Sequence, residues 1–104
     1  MDDVFRALAD PHRRFLLDLL FAGGGRTLGA LAAELPVSRQ AVAKHLASLE
    51  AANLVSVAWR GREKLHYLNP VPIGEIVRRW VGKFEDARVE ALTDFKDQLE
   101  KRRA

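Results

Sequence analysis

The sequence predicts a mainly α-helical protein with one small β-hairpin and a long C-terminal helix. Over most of the chain, apolar residues recur at intervals of three and four, which is the helical period. Between residues 54 and 69 this period is replaced by β-branched and aromatic residues on either side of a glycine, as in a hairpin. The helical period then resumes and continues almost to the end of the chain. The elements below are taken in this order.

Length and composition limit the classes of protein that this chain can be. Its 104 residues contain no linker rich in proline or serine, so we expect one domain spanning 1–104. The net charge of +3 permits nucleic-acid binding without requiring it. The absence of cysteine excludes disulfides, thiolate metal sites and cysteine nucleophiles. No signal peptide or apolar run of ~20 residues is visible, so we expect a cytoplasmic protein.

Two helices are predicted at the start of the chain. A short helix from Val4 to Ala9 is expected to direct Phe5 and Leu8 to the core. Asp10 as N-cap and Pro11 at the first helical position begin the second helix, because proline lacks the amide that would be unpaired there. Its apolar stripe consists of Phe15, Leu16, Leu19 and Leu20, while Arg13 and Arg14 are expected to point to solvent or to a nucleic-acid backbone, solvent being favoured.

The central part of the chain has the pattern of a helix-turn-helix. The glycine run at 23–25 should end the second helix through a left-handed conformation. Thr27 can cap a third helix with the apolar stripe Leu28, Leu31, Ala32 and Leu35. Pro36 and Val37 then form a tight connection to Ser38, the expected N-cap of a fourth helix. Two short helices joined by a few residues make a helix-turn-helix.

The fourth helix has the features of a recognition helix. Val42, Leu46 and Leu49 lie on one face, and the opposite face carries Arg39, Gln40, Ala43, Lys44 and Ala47. This outer face has no carboxylate, and its long polar residues cluster in the first two turns. A helix that reads base edges in the DNA major groove needs both properties. The alternative is an ordinary amphipathic surface helix with a basic face.

A hairpin wing is predicted directly after this helix, which we expect to fray near Asn53. The strands run from Leu54 to Arg60 and from Lys64 to Asn69. The tip places three cations, Arg60, Arg62 and Lys64, around Gly61, where they can contact phosphates. Taken alone, this tip would be better interpreted as a solvated basic turn. Following a helix-turn-helix, the segment 54–69 is instead the wing of a winged helix-turn-helix domain, with residues 1–71 as the DNA-binding core.

The last segment, 72–104, is predicted to be a dimerisation helix. From Ile73 onward its apolar stripe continues for roughly 28 residues, or about 42 Å, which exceeds the diameter of such a domain. Part of the helix must project, and the same helix of a second copy is the natural cover. The expected homodimer interface consists of Ile76, Trp80, Phe84, Leu92, Phe95 and Leu99. The alternative is one helix folded over its own core, with or without a break near Arg88.

Three segments, FRALADPHRRFLLDLL, LGALAAELPVSRQAVAKHLASLEAANLV and GREKLHYLNPVP, together resemble the ArsR family of winged-helix transcriptional regulators. The similarity covers essentially the whole chain. It implies a homodimeric repressor that binds a short inverted repeat in double-stranded DNA at a promoter, often its own. It also implies that the DNA-contacting or DNA-facing positions are Ser38, Arg39, Gln40, Ala41, Lys44 and His45, joined by Gly61 and Arg62 in the wing.

The chain departs from the metal-sensing members of that family. Their cysteine pairs are missing here, where Glu34, Leu35, Pro36 and Val37 stand, and the last helix has no histidine. The three histidines, His12, His45 and His66, lie on different elements, so we expect no metal site, no cofactor and no catalytic activity. For His66 we expect packing. His45 either orients its helix or contacts a phosphate, and both interpretations stay open.

The sequence thus predicts a sequence-specific DNA-binding transcriptional regulator. Arg39, Gln40 and Lys44 would contact the groove, with Gln40 the best placed to read a base edge, and Arg60, Arg62 and Lys64 would hold the wing on the backbone. The operator and any small-molecule or protein inducer are not predicted. The alternative is a winged-helix interaction module that uses its long C-terminal helix to bind another protein.

Overall fold

The computed structural model describes residues 1–103 and contains two compact units, Met1–Pro72 and a second unit that begins at Ile73. The elements are the helices α1 (Asp2–Leu8), α2 (Pro11–Ala22), α3 (Leu28–Ala32) and α4 (Arg39–Ala51), the strands β1 (Val55–Arg60) and β2 (Glu63–Leu68), and then α5 (Val71–Ile76), a π-helical turn (Val77–Val81) and α6 (Gly82–Arg103). Ala104, the end of the predicted segment 72–104, lies outside the described residues. Within residues 1–103, no helix has the length and apolar character needed to cross a membrane.

The predicted junction between α1 and α2 is confirmed. The Asp10 carboxylate accepts hydrogen bonds from the backbone amides of His12 at 2.8 Å and Arg13 at 3.1 Å, and Pro11 is the first helical residue. The pKa of Asp10 is lowered, chiefly by the hydrogen bond from the backbone amide of Arg13. Desolvation acts in the opposite direction. The hydrogen bond from the His12 amide and the charges of His45 and Arg13 lower the pKa further. Charge on this carboxylate therefore stabilises the start of α2.

Two of the expected core aromatics are exposed. Phe5 and Phe15 retain 45% and 41% of their accessible surface, so their assignment to the core was wrong. The inward positions are taken by Val4 and Ala7 in α1 and by Leu17 in α2, and the predicted Leu16 and Leu20 are buried as expected, whereas Leu8 and Leu19 are only half-buried. The two helices form where predicted, but the face that each buries in the core is rotated about the helix axis from the predicted face.

Arg13 and Arg14 cap the C-terminal end of α1. Arg13 donates from Nε to the carbonyl of Ala7 at 2.8 Å and from Nη2 to that of Arg6 at 3.0 Å, and Arg14 donates to the carbonyl of Leu8 at 2.8 Å. The last carbonyls of a helix have no intrahelical partner, so these bonds satisfy them. The expectation of a solvent-facing or DNA-facing side chain was wrong for Arg13, which is half-buried, whereas Arg14 is exposed as expected.

The helix-turn-helix forms as predicted, with Thr27 capping α3 and Ser38 capping α4. Leu31 of α3 and Val42 and Leu49 of α4 have no exposed surface and form the centre of the core. The C-terminus of α4 does not fray. Asn53 has a φ of 62°, and the amide of Leu54 bonds to the carbonyl of Leu49 at 2.9 Å. This is a Schellman ending, in which asparagine substitutes for the usual glycine.

The glycine run has a different role from the predicted one. At Gly23, where α2 ends, the φ of −167° is extended, and the left-handed residue is Gly25 with a φ of 77°. A Cβ on Gly24 would lie 2.8 Å from Cδ1 of Tyr67. The run therefore lets the chain pass closely over a side chain of β2.

The hairpin is confirmed, with Val55 opposite Leu68 and Arg60 opposite Glu63. Gly61 and Arg62 form the two-residue turn, which is tighter than the predicted tip. An isolated bridge joins His66 to Arg26. The ring of His66 donates from Nδ1 to the carbonyl of Arg26 at 2.8 Å, and the residue is buried, so its predicted packing role is confirmed.

In the second unit, α6 runs unbroken through Arg88, so the break considered there does not occur. The preceding π-helical turn, Val77–Val81, joins α5 to α6 without an intervening loop. Phe84, Leu92 and Phe95 keep 59–65% of their surface exposed. The described helix therefore leaves most of its apolar stripe uncovered.

We expect Asp10→Ala to lower the melting temperature at neutral pH. Because the folded-state pKa of Asp10 lies below the ordinary value of 3.8, its contribution is fully present above that value and is lost as the pH falls through the folded-state pKa. The melting difference between wild type and variant should therefore shrink in strongly acidic buffer. The control is Asp18→Ala, which removes an exposed carboxylate from the same helix without removing a cap and should change the melting temperature at neutral pH less than Asp10→Ala does. A difference that stays constant down to strongly acidic pH would contradict this role.

Candidate nucleic-acid interface

The outer face of α4 carries three of the predicted DNA-contacting residues. Arg39, Gln40 and Lys44 are all exposed, and the inner face of the helix is fixed by the buried core residues described above. Ser38 accepts a hydrogen bond from the amide of Ala41 at 3.1 Å, which fixes the first turn, where a recognition helix contacts bases. The sequence periodicity predicted this face.

The cations of the wing differ in their partners. Arg60 pairs with Glu63 at 3.1 Å, and Lys64 pairs with Glu50 of α4, also at 3.1 Å. Among the side chains that the structure describes, Arg62 forms no ion pair. The Glu50 pair joins the wing to the recognition helix, and it was not predicted because it connects residues on different elements.

A cleft of about 470 Å³ lies between α3, α4 and the hairpin. It brings together Arg39, Arg62 and Lys64, which the sequence placed at the interface but could not place in one cavity. Its wall also includes Trp59, which is 66% exposed and which the sequence analysis did not assign to the site. Trp59 lies opposite Lys64 in the hairpin register, and such pairs share a face. A correct strand register would have revealed it.

His45 is directed away from the outer face of α4. It is half-buried, with Nδ1 3.4 Å from Nη1 of Arg13 and Nε2 4.0 Å from a carboxylate oxygen of Asp10. These contacts correspond to the helix-orienting alternative. A DNA contact by His45 stays a prediction, as do those of the other residues assigned to the interface.

His12 and His45 lie beside each other, with ring centroids 5.8 Å apart. The three histidines do lie on different elements, as expected, but the fold brings this pair together. The N-terminus of α2 packs against α4, and no local sequence pattern could show this contact. His66 alone lies elsewhere, at its bridge to Arg26.

The predicted dimer residues lie along the helix of the second unit. The exposed members are Trp80, Phe84, Leu92, Phe95 and Leu99, whereas Ile76 is half-buried. The guanidinium of Arg79 lies 5.1 Å from the centroid of the Trp80 ring, within the range of a cation–π contact. Their role in a dimer stays a prediction.

Comparisons with known proteins agree with this geometry. A family model described as a helix-turn-helix domain matches residues 8–58. The chain is 35% identical over 86 residues to the uncharacterized HTH-type transcriptional regulator YuzN of Bacillus subtilis, covering 77% of this chain and 94% of YuzN. It is 33% identical over 84 residues to the transcriptional repressor SdpR of the same species, covering 81% of this chain and 91% of SdpR.

Among solved structures, the fold is similar to that of an ArsR-like transcriptional regulator from Rhodococcus sp. RHA1. The TM-score is 0.73 at 33% sequence identity, and the match covers 93% of this chain and 90% of that one. The similarity thus extends over nearly the full length of both chains.

We expect Gly61→Ala to destabilise the wing through its backbone alone. Gly61 has a φ of 61°, and nothing lies within 4 Å of a Cβ built there. The left-handed conformation should cost alanine about 1–2 kcal/mol. Chemical denaturation should show that loss, with a smaller one for Gly61→Asn. The control is Gly29→Ala in helix α3, where the new Cβ makes only ordinary contacts and should not destabilise. Equal effects at the two glycines would contradict the backbone explanation.

Proposed function

Since the chain belongs to the ArsR family of winged helix-turn-helix transcriptional regulators, we propose that it is a homodimeric repressor that binds an inverted repeat at a promoter. Two copies of the chain would read the two half-sites of an operator, at its own promoter or at another. SdpR, which is described as a transcriptional repressor, supports the direction of regulation.

The observation that carries this proposal is the outer face of α4. Arg39, Gln40 and Lys44 are exposed on one side of a helix whose opposite side is fully packed. No carboxylate interrupts these three residues, so the face can approach DNA without repelling phosphates. Gln40 can form a bidentate hydrogen bond with adenine in the major groove, whereas Arg39 and Lys44 can contact either guanine or phosphate.

The wing would hold the domain on the DNA backbone. Arg62 is the first candidate, because Arg60 and Lys64 each have a carboxylate within 3.1 Å. Their positive charge is partly neutralised by these partners, whereas that of Arg62 is fully available to a phosphate. Trp59, which is exposed and lines the same cleft as Arg62 and Lys64, adds a flat apolar surface beside these two cations.

A second copy of the chain would cover the apolar stripe of α6. An exposed stripe of this length is costly in water, and a two-fold pair of identical helices covers it with the same residues from each copy. The same two-fold axis would place two α4 helices for half-sites about one DNA turn apart. An inverted repeat follows from that symmetry.

We expect Gln40→Ala and Arg62→Ala to affect DNA binding in different ways. Loss of Gln40 removes a base contact, so affinity for the operator should fall while affinity for random DNA stays unchanged. Loss of Arg62 removes a phosphate contact, so binding to all sequences should weaken and the salt dependence should drop by about one unit. Both effects can be measured by fluorescence anisotropy on promoter DNA and random DNA at several salt concentrations.

The matched control for these variants is Lys83→Ala, which removes an exposed positive charge from α6 on the side away from the apolar stripe. It should leave the salt dependence at its wild-type value. Equal losses on promoter and random DNA for Gln40→Ala would contradict the base-reading role. No binding of the wild-type protein to any DNA at low salt would contradict the proposal as a whole.

We expect Leu92→Glu to convert the dimer to monomers, because it buries a charge in the apolar stripe. Thr93→Glu introduces the same residue one position later, off the stripe, and should leave the dimer intact. Thr93 is exposed and bonds only to the carbonyl of Val89 in its own helix. Sedimentation velocity measures the difference. A wild-type protein that sediments as a monomer would overturn the homodimer, and equal behaviour of the two variants would exclude this face as the interface.

A further inference from the structure

We propose that Asp10, His12 and His45 form a binding site for a divalent transition-metal ion, with Zn²⁺ the best match. The site joins the start of α2 to the recognition helix α4. It lies in the first unit and uses none of the residues on the exposed face of α4.

The geometry brings three ligand types together. One ligand atom from each residue lies within 4.8 Å of the other two, and all three residues are half-buried. Asp10 is the N-cap of α2, His12 lies in its first turn, and His45 comes from the middle of α4. The rings of His12 and His45 lie beside each other, tilted by 52° with their centroids 5.8 Å apart.

The chemistry of this set suits zinc. Two imidazoles and one carboxylate are the ligands of open zinc sites, where a water molecule completes the tetrahedron. Zinc–ligand bonds of about 2.0–2.2 Å require ligand atoms about 3.3 Å apart, closer than in the described structure. Binding of the ion therefore requires the three side chains to move closer together. Asp10 can use its second oxygen, because the first already caps α2.

The positive charge of Arg13 lies close to the proposed site and weakens its affinity for the metal ion. If Nε2 of His45 binds the ion, its Nδ1 carries the proton and faces Nη1 of Arg13 at 3.4 Å. Two donors then face each other, and this long contact must be given up. The guanidinium keeps its two shorter bonds to the carbonyls of α1, so the helix junction stays intact. The nearby positive charge makes the site weaker than one without it.

An ion at this position would couple to DNA binding. The ion would link α4 to the N-terminus of α2. An ion that favours one orientation of α4 changes the affinity of the protein for its operator. By linkage, operator DNA then changes the affinity for the metal by the same factor. This consequence rests on the proposed function. Metal binding itself does not, so the two can be tested separately.

The test is a calorimetric titration of the untagged full-length protein with Zn²⁺, without DNA. We expect one ion per chain, and at least about tenfold weaker binding in Asp10→Asn and His12→Gln, since loss of a ligand costs at least as much as loss of its supporting contacts. Asn is an equally good N-cap, so Asp10→Asn should fold. Asp18→Asn removes a carboxylate from the same helix and should bind as wild type does.

A second measurement uses the wild-type protein alone. In NMR spectra of the imidazole nitrogens, Zn²⁺ should shift the signals of His12 and His45 and leave those of His66 in place. No binding by the wild-type protein, equal affinity in Asp10→Asn and Asp18→Asn, or shifts at His66 alone would each overturn the site. Operator affinity with and without Zn²⁺ then tests the coupling, and a protein that binds zinc but no DNA would refute the proposed function while leaving the site in place.

Discussion

The burial of the inner face of α4 is the constraint on which the rest of the first unit depends. Val42, Leu46 and Leu49 are almost completely removed from water, and each contributes about 1.5–3 kcal/mol relative to exposure. Rotating the helix to bury another face would expose these residues and force Arg39 or Lys44 into the core. The polar face therefore points outward because the opposite, apolar face must be buried. Recognition and stability are set by the same thirteen-residue helix.

The sequence predicted those features whose cause is local. Three residues each cap a helix by accepting a hydrogen bond from an amide two or three residues later: Asp10, Thr27 and Ser38. Their role can therefore be predicted from the neighbouring residues alone. The face that each helix turns towards the core was harder to predict from the sequence. Phe5 and Phe15 were assigned to the core from hydrophobicity and spacing, whereas the packing of α1 on α2 selected the smaller Val4, Ala7 and Leu17. Which of two apolar faces turns inward is decided by the neighbouring element.

Contacts between elements account for most of what the sequence could not predict at the site. Lys64 and Glu50 are separated by 14 residues, and Arg13 and His45 by 32. Neither pair follows a helical or strand period, so only the assembled fold shows them. The sequence could locate the cations of the wing. It could not show that carboxylates pair with Arg60 and Lys64 but not with Arg62. The same limit explains why the sequence places His12 and His45 on different helices without showing that the helices bring their rings together.

The bridge between Arg26 and His66 joins residues 40 positions apart and anchors the hairpin to the segment before α3. Closing so long a loop is entropically costly, and the hairpin gains its anchor only after the helices between the two residues have assembled. The docking of the wing therefore depends on the assembled helices, and the hydrogen bond from the His66 amide to the Arg26 carbonyl persists only while they are folded. We expect the amide hydrogens of the wing to be protected from exchange no more strongly than those of the helical core on which its position depends.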